Sequence, residues 1–234
     1  MSNRILKLER AELLDYLSAI LLGLHADEPK LVAIDGRSAA GKTTLADELA
    51  LNVRMQGRPV LRCSFDDFHP PGHKYRSRDR PYTPVSYYEE GYDYATFRTC
   101  VLDPVRYGGK PCRLAHWDSF NDVAFPERWT DVPGGAIVII DGIFLLRPDF
   151  RQYWNYTIWL EIDWDTMLER AANRDVAWVG SAEIVVNRYR TFWIPTHMLY
   201  ETRDNPTSVT NVMVENSYPE TPALINRAAF EDST

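Results

Sequence analysis

The chain predicts a three-layer α/β domain with a mainly parallel sheet. Three observations point there. Short apolar runs alternate with stretches of helical period. At least four of those runs are apolar throughout, as strands buried on both faces are. Polar residues gather at the carboxyl ends of the runs: Asp35-Gly36, Asp66-Asp67, Asp141-Gly142, Asp163 and Asn216. Those strand ends are where open α/β sheets bind their ligands.

Each element has its own local reason. In "ERAELLDYLSAILLGL", residues 9–24, Leu13, Leu14, Leu17, Ile20, Leu21 and Leu24 recur at helical spacing, so residues 1–28 read as an N-terminal helical segment. "KLVAID" is too short for a helix and ends at glycine, which makes it a buried strand. "KTTLADELALNVRMQ" follows as a helix stopped by Gly57, and "RPVLRCSF" as a second strand. Residues 69–92 are rich in Pro, Tyr, Arg and Gly and read as a long irregular segment, of the kind that carries function. "YATFRTCVLDPV" reads as a short helix and "KPCRLAHW" as one strand of a hairpin. Together they define an insertion over 69–125. "GGAIVIIDG" and "YTIWLEID" are buried strands, the first central. "DTMLERAANRD" and "SAEIVVNRYRTFWIP" are helices, the second predicted to end before Pro195, and "SVTNVMVEN" is the last strand. Everything fits one domain over 1–234.

Composition narrows the function. The chain has 234 residues, 45% hydrophobic and 25% charged, with a net charge of −7. That balance speaks against nucleic acid or an anionic membrane as the partner. Cys63, Cys100 and Cys112 match no zinc or redox spacing and fit a reducing compartment. Charges at Lys7, Glu9, Arg10, Glu12 and Asp15 interrupt any apolar leader, and no run approaches a membrane span. The expectation is a cytoplasmic protein.

Gly36-Arg37-Ser38-Ala39-Ala40-Gly41-Lys42-Thr43 matches G-x-x-x-x-G-K-[ST]. Its glycines let the backbone curl so that N–H groups converge on phosphate oxygens. The helix behind it offers a positive N-terminus. Lys42 reaches the β- and γ-phosphates and the Thr43 hydroxyl ligates Mg²⁺. Thr44 follows on the same helix and completes the candidate nucleotide-binding set, residues 36–44. The flanking strand and helix are those a P-loop requires, so the fold expected is that of a P-loop NTPase.

A P-loop serves switches, motors and kinases alike. No N-K-x-D guanine motif is present, although the choice between ATP and GTP stays open. Asp141 ends "AIVIID", the place of a carboxylate that holds Mg²⁺ directly or through water; the alternative is a helix cap. Asp66 ends the strand after the P-loop helix, where it can face the γ-phosphate and take a proton from an attacking hydroxyl. Adjacent side chains of an extended segment point to opposite faces, so Asp67 is expected to point away. Arg170 and Arg174 share one helix face, and Arg188 and Arg190 follow. Cations so placed stabilise a transferring phosphoryl; the alternative is surface pairing with Glu169, Asp175 or Glu183.

Taken in order, "GRSAAGKTT", "SFDDFHPP", "GYDYATF", "IVIIDGIFLL", "LERAANRD" and "RYRTFWIPTHMLY" resemble the uridine kinase-like family of P-loop small-molecule kinases. The resemblance spans residues 31 to about 218. It implies five parallel strands and a lid, placed at 174–190. It implies Asp66 as the catalytic base, also near the metal, with Lys42, Arg170 and Arg174 at the phosphoryl group and Thr43 and Asp141 at Mg²⁺. It implies Phe68, His69 and Asp93 at the acceptor, with His116, Trp117 and Arg188 as further acceptor-side candidates. The sequence departs from the family in carrying Asp rather than Glu at 141, in lacking Arg-Gly-Arg in the lid, and in lacking Tyr-Asp-Phe in the hairpin.

The expected activity is therefore transfer of the γ-phosphoryl of ATP, with Mg²⁺, to a hydroxyl of a small molecule, first uridine or cytidine. Another riboside, a sugar or a pantothenate-like alcohol are the alternatives, as is a non-catalytic nucleotide switch. The partner expected is that small molecule, with assembly into homo-oligomers left open.

Overall fold

The computed structural model describes residues 4–73, 80–108 and 110–226. Residues 74–79 of the irregular segment lie outside the described residues. The chain opens with β1 (Arg4–Lys7), α1 (Arg10–Gly23), β2 (Lys30–Gly36), α2 (Lys42–Met55) and β3 (Val60–Ser64). A 3₁₀ turn, Phe65–Asp67, then leads into the insertion. The insertion holds α3 (Pro84–Glu90), α4 (Tyr94–Phe97), a π-helical turn Arg98–Leu102, α5 (Asp103–Tyr107), and a hairpin of β4 (Trp117–Asp118) and β5 (Val123–Ala124). β6 (Ile137–Asp141), β7 (Tyr156–Glu161) and α6 (Trp164–Val179) return to the sheet. Next come α7 (Ala182–Arg188), a π-helical turn Tyr189–Trp193, α8 (Ile194–Asp204), β8 (Val212–Glu215) and β9 (Ala223–Asn226).

The sheet runs β1-β9-β8-β7-β2-β6-β3. The five strands from β8 to β3 are parallel, and β9 and β1 add an antiparallel edge. The P-loop strand β2 is central. Its neighbour β6 separates it from β3, and Asp141 pairs in register with Ile34 on one side and Ser64 on the other. The three strand ends that carry the acidic residues are thus level along one edge.

The period-2 alternation of β2 sends its side chains to two cores. Val32 and Ile34 join Leu13, Leu17, Leu45 and Leu49 under α1 and α2. Leu31 and Ala33 face a second, aromatic core with Phe65, Phe68, Phe97, Phe144 and Tyr200. Among the described residues no helix is long and apolar enough to cross a membrane, and all three cysteines are unpaired.

Four expectations need correction. The 69–92 segment is not irregular throughout: Thr83 accepts the Ser86 amide at 3.1 Å and caps α3, whose first residue is Pro84. The hairpin meets "KPCRLAHW" only at its last residue: Trp117 opens the strand 117–118, which pairs with 123–124, while upstream Cys112 makes an isolated bridge to Thr130. The last long helix does not stop before Pro195 but continues to Asp204. Proline normally clashes with the carbonyl four residues back; the π-helical turn just before it widens the spiral where that clash would fall. The N-terminal segment is also more than a helix, because β1 precedes α1 and closes the sheet edge.

Candidate active site

The loop 36–41 bends on three residues with positive φ: Gly36 at 143°, Ala39 at 61° and Gly41 at 91°. Gly36 is required twice over, because a Cβ there would sit 2.2 Å from the Leu160 carbonyl oxygen. Beneath the loop, Asp35 is fully buried and its carboxylate accepts from the Gly36 amide (2.7 Å), the Leu146 amide (2.9 Å) and the Tyr200 hydroxyl (2.6 Å). Burial nevertheless pushes its pKa up to about 6.

A cavity of 850 Å³ opens above the strand ends. Ser38, Ala39, Gly41, Lys42, Thr43 and Thr44 form one wall, and Asp66 and Asp141 reach it from β3 and β6. The Lys42 ammonium donates to the Gly36 and Arg37 carbonyls at 3.0 and 2.9 Å, leaving a third donor for the cavity. Burial lowers its pKa, while Asp35, Asp66 and Asp141 oppose that shift. The Thr43 hydroxyl donates to Asp141 Oδ2 at 2.6 Å, and Arg62 holds Oδ1 at 2.8 Å. Asp141 is therefore clamped at the loop and does not act as a helix cap.

The acidic pair divides between cavity and interior as expected, although both residues stand in the 3₁₀ turn rather than in an extended segment. Asp66 is exposed to the cavity and its Oδ1 accepts from the Tyr92 hydroxyl at 2.8 Å. Asp67 does not line the cavity, and its pKa is pushed up to about 6 by burial, then by Asp66, Asp141 and Asp118. His69 donates from Nδ1 to the Asp66 carbonyl at 2.7 Å and accepts at Nε2 from Tyr87 at 3.2 Å. Burial lowers its pKa and keeps the ring neutral.

The arginines are less free than their spacing suggests. Arg170 lines the cavity, but its guanidinium donates to the carbonyls of Asn216 (2.8 Å), Ser217 (3.0 Å) and Ala39 (3.4 Å). Arg174 also lines it, forked onto Asp175 at 2.6 Å and onto the Tyr189 hydroxyl at 3.0 Å. Arg188 lies on the same wall, from α7. Arg37 contributes backbone only. Its side chain turns out to Glu201 and Glu161 and stacks 3.7 Å over Trp164.

Four acceptor-side expectations fall outside the cavity wall. Phe68 is fully buried, with its ring centroid 5.1 Å from that of Phe97; the 3₁₀ turn rotates it into the aromatic core. Asp93 caps α4, with one oxygen on the Thr96 amide and the other on the Thr96 hydroxyl. His116 lies over Phe68, and Trp117 donates to Asp122 in the hairpin. In their place the wall carries His73, Tyr87, Tyr92, Phe120, Trp178 and Trp193. Of these, Tyr92 stood in "GYDYATF", one residue before Asp93, and Trp193 in "RYRTFWIPTHMLY"; the others are brought together by long-range packing.

The oxygens at Thr43, Asp141 and Asp66 are hard donors of the kind Mg²⁺ takes. No group of three or more metal-ligating His, Cys, Asp or Glu side chains occurs among the described residues. Mg²⁺ is commonly held by one or two protein oxygens plus waters and phosphates rather than by a protein cage. When bound there, Mg²⁺ neutralises phosphate charge.

No protein-family model matches the chain. It is 27% identical over 181 residues to uridine-cytidine kinase A of Dictyostelium discoideum, a match covering 72% of this chain but only 32% of that protein. It is 24% identical over 176 residues to uridine-cytidine kinase B of the same organism, covering 73% and 69%. A solved structure described as a possible uridine kinase from Bacillus stearothermophilus superposes with a TM-score of 0.69 at 20% identity, over 87% of this chain and 97% of that one. A D-glycerate 3-kinase from Cryptococcus neoformans shares the fold at a TM-score of 0.54 and 13% identity, over 80% and 88%. In sequence the chain is thus similar to uridine-cytidine kinases, and in fold to P-loop kinases.

Proposed function

We propose that the protein is an ATP- and Mg²⁺-dependent kinase that moves the γ-phosphoryl to a hydroxyl of a small molecule, with uridine or cytidine as the leading acceptor. The observation that carries this is the convergence of Lys42, Thr43, Asp141 and Asp66 on one cavity. The loop amides and Lys42 would take the phosphates of ATP. Thr43 and Asp141 would hold Mg²⁺. Asp66 would accept the proton of the attacking hydroxyl as the oxygen–phosphorus bond forms and ADP departs. Tyr92, on Asp66, would fix the carboxylate's orientation. Arg170, Arg174 and Arg188 would supply charge on the lid side.

A second reading of the acceptor has a specific observation behind it. Asp93, expected to bind acceptor hydroxyls, has both oxygens engaged with Thr96, so a non-nucleoside alcohol or sugar fits as the alternative. ADP formation across nucleosides, sugars and vitamin alcohols tests both. The expected result is turnover with uridine or cytidine that disappears in Asp66→Asn. Turnover only with a sugar or another alcohol selects the second reading. ATP binding without ADP formation for any acceptor leaves the nucleotide switch.

A further inference from the structure

One face of α8 grips the phosphate loop at three successive points. His197, Tyr200 and Glu201 stand at i, i+3 and i+4, so their side chains project together. Tyr200 donates to Asp35 at 2.6 Å, and Glu201 accepts a forked pair of bonds from Arg37 at 2.8 and 2.9 Å. Between them His197 Nε2 lies 3.1 Å from the Ser38 amide and 3.0 Å from its hydroxyl. His197 and Tyr200 are fully buried.

The chemistry of the His197 contact is unambiguous. An amide N–H can only donate, so Nε2 must be the acceptor and the ring proton must sit on Nδ1. That Nδ1 is buried and has no hydrogen-bond partner. The ring is thus held in one tautomer, at the cost of an unpaired N–H, with its lone pair on the loop. Burial, with Lys42 and Arg37 nearby, keeps it neutral. A helix that only packed against the loop would not leave a buried donor unpaired to do so.

We propose that His197 is a positioning residue for the phosphate loop. By accepting the Ser38 amide it turns this N–H away from the ring of amides that faces the cavity. In doing so it sets which of the remaining loop amides converge on a nucleotide's phosphates. The inference rests on the reading of residues 36–44 as the nucleotide site.

The test measures ATP binding directly by calorimetry on the full chain, without any acceptor, alongside thermal melting. His197→Gln can place Oε1 where Nε2 stood and keep the bond. His197→Asn stays polar but is too short to reach Ser38. ATP affinity is expected to fall roughly tenfold in His197→Asn, the scale of one lost buried hydrogen bond, and to stay within about threefold of the parent in His197→Gln. Equal affinities in the two variants, or a fall in melting temperature with ATP affinity unchanged in both, overturn the proposal. Failure of the parent protein to bind ATP strikes the nucleotide-site reading instead, before His197 is at issue.

Discussion

The phosphate-loop side of the cavity, the proposed donor side, and the opposite, proposed acceptor side are built in different ways. The donor side is backbone: a loop six residues long, bent by Gly36, Ala39 and Gly41, with Lys42 and Thr43 on the first turn of the helix that follows. Its partners are few and its contacts polar. The proposed acceptor side is a wall of rings drawn from well-separated stretches, with Tyr87 from α3, Tyr92 from the turn after it, Phe120 from the hairpin turn, Trp178 from α6 and Trp193 from the π-helical turn before α8. Asp66 stands where the two meet, carried by β3 but oriented by Tyr92. A phosphate site needs a fixed array of donors, which one short loop supplies even where a distant helix braces it. An acceptor site needs shape, which only long-range packing provides.

The comparison can be broken most sharply at Asp66. Asp66→Asn removes the proposed proton acceptor and leaves the loop untouched. Turnover is expected to fall by roughly 10²-fold or more with ATP affinity little changed, in steady-state and binding measurements. A parallel loss of ATP affinity would show that the two sides are not separable there.

A smaller effect is expected one step out. Tyr92→Phe keeps the ring in its stack on Phe65, 4.2 Å between centroids, and removes only the hydroxyl on Asp66. Turnover should drop by about fivefold to tenfold, the net weight of one ordinary hydrogen bond, with the KM for ATP unchanged. A KM change confined to ATP would place Tyr92 on the donor side instead.

The smallest effect concerns Asp67, which the acidic pair holds partly buried. Its pKa is raised to about 6 in the folded chain, so the folded state binds its proton more tightly than the unfolded state. The stability this proton supports is present at low pH and is lost as pH rises through about 6. Asp67→Asn should therefore raise the melting temperature at pH 8 by roughly 2 °C, a modest figure because the group is partly hydrated, and do little at pH 4. Turnover should change far less than in Asp66→Asn. Stabilisation that is equal at both pH values would assign the gain to packing rather than charge.

Legibility followed the range of the interactions. "SFDDFHPP" revealed that a carboxylate stands at a strand end, which is a local fact, but the split between Asp66 and Asp67 arises in the 3₁₀ turn and not from alternation. It misplaced Phe68, since the 3₁₀ turn at Phe65–Asp67 breaks the extended geometry on which alternation depends. "GYDYATF" drew attention to Asp93, yet that residue is a helix cap and its neighbour Tyr92 reaches Asp66. Asp-x-x-Thr is a capping pattern in its own right, so the signal was present. Where the Arg37 side chain turns was not legible, because nothing nearby in sequence announces Glu201, 164 positions away.

By itself, then, the sequence determined the alternating α/β order, the parallel core strands, the phosphate loop and the acidic residues at three strand ends. Each is written within a window of about ten residues, where backbone sterics and hydrophobic period act. Only the tertiary structure decided the antiparallel edge that β1 and β9 add, the passage of the last long helix through Pro195, and the aromatic acceptor wall. It also decided the hold of Arg62 on Asp141 and of His197 on Ser38. Those contacts join residues 79 and 159 positions apart, and which distant partners meet is settled by how whole layers pack.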